Sequence, residues 1–191
     1  ALYAKQIDNV LIEISGEEVP ILDGSSKYWL EAIENSGVEE LEKGREYYCL
    51  KEVVSYVDEA NDIELVAVPY DGFKVDLNID FSPRIIGRQY STLKDLSEFK
   101  DEFSVCRTFV FLDEIEQLLK LNLIKGGDLD NALIFVDKVL EKEQLEHLAK
   151  VFGKNPNEIK VEKGLLNNVQ QNFENEPARH KLLDVIGDMS L

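Results

Sequence analysis

The spacing of hydrophobic and polar positions predicts a mixture of strands and helices along this chain. β-branched and aliphatic residues fill positions 9–14, which predicts a strand there. Turn and capping residues at 23–26 precede an apolar spacing of helical period, so we expect a helix that ends at Gly37. The beginning of the chain therefore combines a strand with a helix.

The middle of the chain has a pattern typical of antiparallel strands. Residues 47–56, 63–69 and 73–81 predict strands, and apolar residues take every second place in the third of them. Asp71-Gly72 is typical of a two-residue hairpin turn between the second and third strands. We therefore expect an antiparallel meander.

Shorter elements alternate in the remainder of the chain. We expect helices at 93–103, 114–121, 141–152 and from 175 onward, strands at 107–111 and 132–136, and irregular stretches at 82–91 and 153–175. The predicted fold class is α+β, with helices packed on antiparallel sheets.

Composition and charge narrow the function classes. The 191 residues carry 38 acidic against 21 basic side chains, a formal net charge of −17. This balance argues against a broad electrostatic contact with nucleic acid or with an anionic membrane surface. No apolar run approaches the ~18–20 residues of a membrane span, so we expect no integral membrane segment.

The cysteines indicate the compartment of the protein, and the two ends of the chain indicate that it belongs to a longer protein. Cys49 and Cys106 stand alone, so we expect small core residues rather than a disulfide or a thiolate metal site, and a cytoplasmic protein. The chain starts at Ala1 without a signal-peptide pattern and stops at Leu191 within an amphipathic stretch. We expect an internal fragment of a longer protein.

The last predicted helix carries the most informative polar side chains. His180 and Asp184 are four residues apart and share one helix face, with Asp188 one step further along. An imidazole and a carboxylate so placed can reach one metal ion, and Lys181 adds a cation for an anionic group. The alternative is a solvated polar stripe, because a catalytic zinc ion requires three protein ligands and a water.

Other candidates are weaker when each is taken alone. Thr108 places a hydroxyl between a cation and an aromatic ring, but a threonine at a strand edge is the common alternative. His147 lies in a charged helical pattern and is expected at the surface. Near Phe109 the chain holds an apolar cluster, for which core packing is the simplest interpretation. Its members are Ile115, Leu118, Leu119, Leu121, Leu123 and Ile124.

Several sequence blocks, taken together in their order, resemble one known family. The blocks are residues 7–13, 18–25, 70–73, 79–81, 106–111, 126–132 and 179–188. They are similar to the UDP-3-O-acyl-N-acetylglucosamine deacetylases, the zinc enzymes that commit bacterial lipid A synthesis. The resemblance covers nearly the whole chain and favours the metal-site interpretation of the last helix.

The resemblance implies a fold of two α+β domains, each a β-sheet with two helices, with the helices sandwiched between the sheets. Residues 1–44 would be the end of the first domain and residues 45–191 most of the second. Within the second domain, residues 113–136 would form an insert for the acyl passage. Residues 138–175 would form an extended insertion, which resembles the variant fused to a 3-hydroxyacyl-carrier-protein dehydratase.

The resemblance also assigns roles to single residues. His180 and Asp184 would be ligands of a Zn²⁺ ion, and Lys181 would contact the substrate or the charged intermediate. Thr108 would help to hold the oxyanion, and Asp188 would orient a catalytic histidine. The reaction implied is hydrolysis of the N-acetyl group of UDP-3-O-acyl-N-acetylglucosamine.

For the substrate itself, the resemblance implies a hydrophobic passage that holds the acyl chain. Phe81 would lie near the sugar or the nucleotide. The passage would be lined by Phe109, Ile115, Leu119, Ile124, Gly127, Asp128 and Ile134. On this interpretation the apolar cluster near Phe109 is a lipid tunnel.

The sequence departs from the family pattern in several places. In the family, a glutamate that acts as the general base and a histidine that is the third zinc ligand form a pair, and the position of this pair would precede Ala1. A further catalytic histidine would follow Leu191. Val110 replaces a usual glycine, and Glu114 replaces an aspartate. We therefore expect this chain, with the remainder of its parent protein absent, to be inactive and to bind zinc weakly if at all.

A second hypothesis is a non-catalytic acidic interaction module on a degenerate deacetylase scaffold. Such decay should first have removed the four side chains with assigned chemistry, and all four are present. They are His180, Asp184, Thr108 and Lys181.

Overall fold

A computed structural model of the chain describes residues 1–115, 129, 131–167 and 169–190. Helices α1 to α4 span Lys27–Ser36, Phe99–Glu102, Lys142–Val151 and Glu176–Asp188. Strands β1 to β8 span Val54–Asp58, Ile63–Ala67, Val75–Asp80, Arg88–Leu93, Phe109–Phe111, Leu133–Phe135, Val161–Glu162 and Leu165–Leu166. This mixture confirms the predicted α+β class.

The described strands form three sheets. β1 and β2 pair as an antiparallel hairpin, and β3 and β4 pair as a second one. The third sheet has the order β5-β6-β8-β7, in which β5 and β6 are parallel and the other pairs are antiparallel. Residues 112–115, directly after β5, are helical, as a crossover between parallel strands requires.

Helix α4 packs on the β3–β4 hairpin through one apolar stripe. Leu182 and Ile186 lie four residues apart, so both point to the same side of the helix. Both are buried in a core cluster that includes Leu30 of α1, Leu93 of β4 and Phe99 of α2. This contact holds the helix that carries the candidate ligands against the middle of the chain.

The sheet that contains β5 and β6 separates two further cores. Successive residues of a strand point to opposite faces. Leu133 and Phe135 accordingly lie in a cluster with Phe111. Ile134 lies in the other cluster, which Leu148 of α3 covers.

Three helices confirm the sequence-based predictions. α1 ends at its C-cap Gly37, which has a φ of 80°. α3 begins with a capping box in which Glu141 and Gln144 exchange hydrogen bonds. α4 begins at Glu176 with proline in its first turn.

Two predictions for the first half of the chain are wrong. Residues 9–14 form no strand, and Leu11 is 84% exposed, because none of the described segments pairs with them to complete a ladder. Asp71-Gly72 does not join a hairpin, because β2 pairs with β1 and β3 pairs with β4. The expected meander is therefore two separate hairpins.

Further differences between the predicted and the observed secondary structure concern elements that the sequence pattern indicates only weakly. β4 lies partly within the predicted loop 82–91, since its polar residues give little strand signal. Residues 93–103 form a 3₁₀ turn followed by the short α2 rather than one helix. Cys106 is buried, as expected, whereas Cys49 is exposed.

The predicted helix 114–121 lies mostly outside the described residues, and the division of the chain at residue 44 stays a prediction. Within the described part of the chain, no helix is both long and apolar enough to cross a membrane.

The β3–β4 hairpin carries a charge cluster that predicts a pH dependence. Asp76 accepts hydrogen bonds from Tyr90 Oη at 2.7 Å and Thr92 Oγ1 at 2.8 Å, and pairs with Lys74. These hydrogen bonds lower the pKa of Asp76 from 3.8 to about 2. Since the folded-state pKa is depressed, the stabilisation is complete above pH ~4 and is lost as the pH falls toward ~2.

We expect Asp76→Asn to weaken protection of the β3 and β4 amides against hydrogen exchange at pH ~5 and to differ little from the wild type at pH ~2. Both proteins are compared at each pH, with Asp71→Asn in the preceding turn as the control. A difference that persists unchanged at the lowest pH would contradict the assignment.

Candidate functional site

The backbone carbonyl of Cys106 holds the His180 side chain in a defined orientation. Its side chain is largely buried, and its Nδ1 lies 3.0 Å from the carbonyl oxygen of Cys106. Because a carbonyl oxygen can only accept a hydrogen bond, Nδ1 carries the proton and donates it. In the neutral imidazole, Nε2 is then left with a free lone pair, as a metal ligand requires.

Asp184 faces that lone pair from the next turn of α4. Its Oδ1 lies 3.5 Å from His180 Nε2, and its side chain is 40% exposed. The two groups that the sequence predicts as ligands therefore converge, and nitrogen and carboxylate oxygen donors suit Zn²⁺. Among the residues that the structure describes, no third histidine, cysteine or acidic side chain joins them in a metal-binding group.

Lys181 brings a positive charge to the same place. Its Nζ lies 3.2 Å from Asp184 Oδ2 and 5.6 Å from the centre of the Phe109 ring. The lysine therefore lies between the acidic ligand candidate on α4 and the first residue of β5. An anionic group placed here would meet a cation that an adjacent carboxylate already orients.

Thr108 is fixed through both of its backbone groups. Its amide donates to the Gly24 carbonyl at 2.8 Å, and its carbonyl accepts from the Leu133 amide at 2.8 Å. Gly24 has a φ of 80°, and a Cβ at this position would lie 2.1 Å from the Asn131 carbonyl oxygen and 3.1 Å from the Thr108 methyl. The close approach of three segments thus requires glycine at position 24.

A buried ion pair joins the start of α4 to the start of β5. The carboxylate of Glu176 is fully buried and accepts from Arg107 through its backbone amide at 2.9 Å and its Nε at 3.0 Å. The second carboxylate oxygen accepts from the Asn172 amide at 2.6 Å. Arg107 also donates to the Gln170 carbonyl at 2.7 Å.

The Cys106 thiol is buried and donates to the Glu102 carbonyl at 3.5 Å. Burial, aided by the nearby carboxylate of Glu176, raises the pKa of Cys106 to about 12. The group of Cys106 that contacts the site is therefore its backbone carbonyl, which lies against His180.

The other predicted site residues do not lie together: some lie on opposite faces of the third sheet, one lies at the end of α4, and the rest lie outside the described residues. Phe81 and Phe109 meet edge to face at 5.7 Å, on one face of the third sheet. Ile115 and Ile134 are buried in the core on the other face. Asp188 is exposed at the last turn of α4. Leu119, Ile124, Gly127 and Asp128 lie outside the described residues.

Sequence reasoning missed the groups that position the site. Glu176 was visible only as an acidic residue in a first helical turn, and Arg107 only as a neighbour of Thr108. The sequence pattern indicates only that Gly24 belongs to a turn. The Cys106 carbonyl leaves no signal in the sequence, because every residue has one.

The fold and this site define an α+β protein in which a histidine and an aspartate, one helical turn apart, lie side by side on one face of α4. The chain belongs to the UDP-3-O-acyl N-acetylglycosamine deacetylase family, LpxC, whose sequence model matches residues 1–152 and 149–191.

Curated relatives align with the whole chain. It is 42% identical over 193 residues to the "Bifunctional enzyme LpxC/FabZ" of Chlorobaculum tepidum, covering 41% of that protein. It is 36% identical to the UDP-3-O-acyl-N-acetylglucosamine deacetylase of Chlamydia pneumoniae and 34% identical to that of Geotalea uraniireducens, covering 59% and 54% of them. The chain thus spans about half the length of the relatives it matches.

The buried ion pair predicts a large effect of removing its cation. We expect Arg107→Met to lower the free energy of unfolding of the full-length protein by about 3 kcal/mol, because the buried Glu176 carboxylate loses its counter-charge. Chemical denaturation measures the loss. Arg88→Met is the control, since Arg88 is 72% exposed and pairs with Asp80 at the surface, where a change within about 1 kcal/mol is expected. Equal effects of the two changes would contradict the analysis.

The packing around Gly24 predicts a second effect on stability. Gly24→Ala and Gly37→Ala both place a side chain at a φ of 80°, but only position 24 is sterically blocked. We expect about 1 kcal/mol of strain in each and a clearly larger loss of unfolding free energy at position 24. Thermal or chemical unfolding of both variants checks this, and a Gly24→Ala variant no less stable than Gly37→Ala would refute the close approach.

Proposed function

We propose that the parent protein hydrolyses the N-acetyl group of UDP-3-O-acyl-N-acetylglucosamine, the committed step of lipid A biosynthesis, and that this chain carries part of its active site. Family membership supports this proposal, as do the printed names of the relatives. The observation that carries it is the His180–Cys106 hydrogen bond, which leaves His180 Nε2 free beside Asp184.

The donor set fits a zinc ion in part. His180 and Asp184 would hold Zn²⁺, with the third protein ligand supplied by the remainder of the parent chain. When bound, zinc supplies a Lewis acid for the amide carbonyl and lowers the pKa of a coordinated water. The buried hydrogen bond to Cys106 supports this role, because ligating histidines characteristically donate their second ring nitrogen to such an acceptor.

The remaining polar residues act on charge in the reaction. Lys181 and the Thr108 hydroxyl stabilise the negative charge that develops on the amide oxygen. Asp188 orients a histidine that protonates the leaving amine, and a glutamate accepts the proton of the attacking water. Both of these partners belong to the remainder of the parent chain.

Apolar residues bind the lipid part of the substrate. Phe81 and Phe109 are half-buried and lie on the same side of the third sheet. Phe109 is also the ring under Lys181, so an apolar surface adjoins the cation. We assign the 3-O-acyl chain to the part of this surface that Phe109 forms, and the sugar or the nucleotide to the part that Phe81 forms.

The setting of the reaction is cytoplasmic, and the remainder of the parent chain is the principal partner. The relative from Chlorobaculum tepidum is named as a bifunctional enzyme, which supports a parent protein with a fused dehydratase domain. The 191-residue chain alone is inactive, because it carries two of the three zinc ligands.

The two histidines of the chain provide a matched test in the full-length protein. His180→Ala is expected to abolish zinc binding and to lower kcat at least ~10³-fold, since it removes a ligand. His147→Ala, on the exposed side of α3, is expected to change neither. Bound zinc is measured by elemental analysis, and deacetylation by release of acetate.

A third variant separates charge stabilisation from metal binding. Lys181→Met is expected to keep the zinc and to lose about 10²–10³-fold in kcat. A full-length protein that neither binds zinc nor releases acetate would discard the enzyme and favour a non-catalytic acidic interaction module.

A further inference from the structure

Arg84 is the centre of an ion cluster near the third sheet. It lies in the loop between β3 and β4, three residues after Phe81. Its Nε donates to Asp137 Oδ2 at 2.8 Å and its Nη1 donates to Glu114 Oε1 at 3.4 Å. Its Nη2 donates to Asp113. One planar guanidinium thus joins carboxylates from two segments that are distant in sequence.

These carboxylates follow the C-terminal ends of β5 and β6. Asp113 and Glu114 closely follow β5, and Asp137 closely follows β6. The two strands are parallel and in register, so their C-terminal ends lie at the same edge of the sheet. Arg84 therefore bridges the C-terminal ends of β5 and β6.

The loop contacts Asp137 a second time. The Ile85 amide donates to Asp137 Oδ1 at 2.7 Å, so both carboxylate oxygens have a donor from the loop. Burial works against ionisation here, but the hydrogen bonds from Ile85 and Arg84 together lower the pKa of Asp137. The carboxylate is thus charged at neutral pH.

Arg84 also covers one face of the aromatic cluster formed by Phe81, Phe109, Phe111 and Phe135. Its guanidinium carbon lies 3.4 Å from the centre of the buried Phe111 ring. Phe81 lies 5.5 Å from Phe111 and 5.7 Å from Phe109. Movement of Arg84 would therefore be transmitted through Phe111 to the half-buried rings of Phe81 and Phe109, the second of which lies beside Lys181.

We propose that Arg84 is a positioning residue that sets the shape of this aromatic surface and thereby the acyl-chain preference of the reaction. The inference rests on the proposed deacetylase function and adds a residue outside the reacting groups. Arg84 has no hydrogen bond to His180 or Asp184, and acts through Phe111 and through the C-terminal ends of β5 and β6.

The test uses the full-length protein and two substrates, the 3-O-myristoyl compound and its 3-O-acetyl analogue. Arg84→Met is expected to raise KM for the myristoyl substrate about tenfold and to leave kcat within about twofold, because only apolar binding is impaired. KM for the acetyl analogue is expected to stay unchanged. Arg88→Met, the same substitution at an exposed arginine of β4, is expected to leave KM for both substrates unchanged.

Further measurements separate positioning from general loss of structure. Arg84→Lys keeps the charge but not the planar fork, so part of the myristoyl preference should return. Amide hydrogen exchange at Ile85 and Phe111 should accelerate in Arg84→Met, since both amides bond to carboxylates of the cluster.

Equal changes for the two substrates, or an unchanged KM for both, would overturn the inference while leaving the deacetylase function intact. A wild-type protein that turns over neither substrate would instead contradict the proposed function.

Discussion

The fully buried carboxylate of Glu176 constrains every part of the candidate site. An unpaired carboxylate in such a place would lose several kcal/mol of solvation. Arg107 supplies its backbone amide and two side-chain donors, and the Asn172 amide supplies another. The first turn of α4 can therefore lie only where strand β5 begins. The cost of leaving this charge unpaired makes the position of α4 specific. Apolar contacts alone would allow the helix to shift along its own axis.

This placement sets the register of the chemical groups. His180 lies one turn after Glu176 on α4, and Cys106 directly precedes Arg107, so the ion pair and the His180–Cys106 hydrogen bond form together. A helix shifted by one turn would lose both interactions. The orientation of the imidazole, and with it the position of its free nitrogen beside Asp184, thus follows from a charge pair that touches neither group.

The parts of the fold that the sequence predicts well are those determined locally. Helix α3 has its own capping box and helix α4 its own apolar stripe, so both were predictable. The strand at 9–14 was predicted from propensity alone and is wrong, because a strand needs a partner. The His180–Asp184 pair follows from helical spacing, whereas its orientation by Cys106 depends on a tertiary contact between backbone and side chain. The parallel pairing of β5 and β6 depends likewise on a crossover that local patterns do not reveal.

The excess of acidic residues explains why arginines occupy the junctions. With 38 acidic and 21 basic side chains, the chain has fewer cations than carboxylates, and a cation at a junction can serve several carboxylates at once. A guanidinium offers five donors in one plane and stacks on aromatic rings, which an ammonium group does less well. Arg107 serves the N-terminal end of β5 and Arg84 its C-terminal end, the latter while stacked on Phe111. A strand of three residues, too short to hold its place by ladder hydrogen bonds alone, is thereby held at both ends. The residues with proposed roles in the reaction lie on or beside this strand and on helix α4, whose first turn pairs with Arg107.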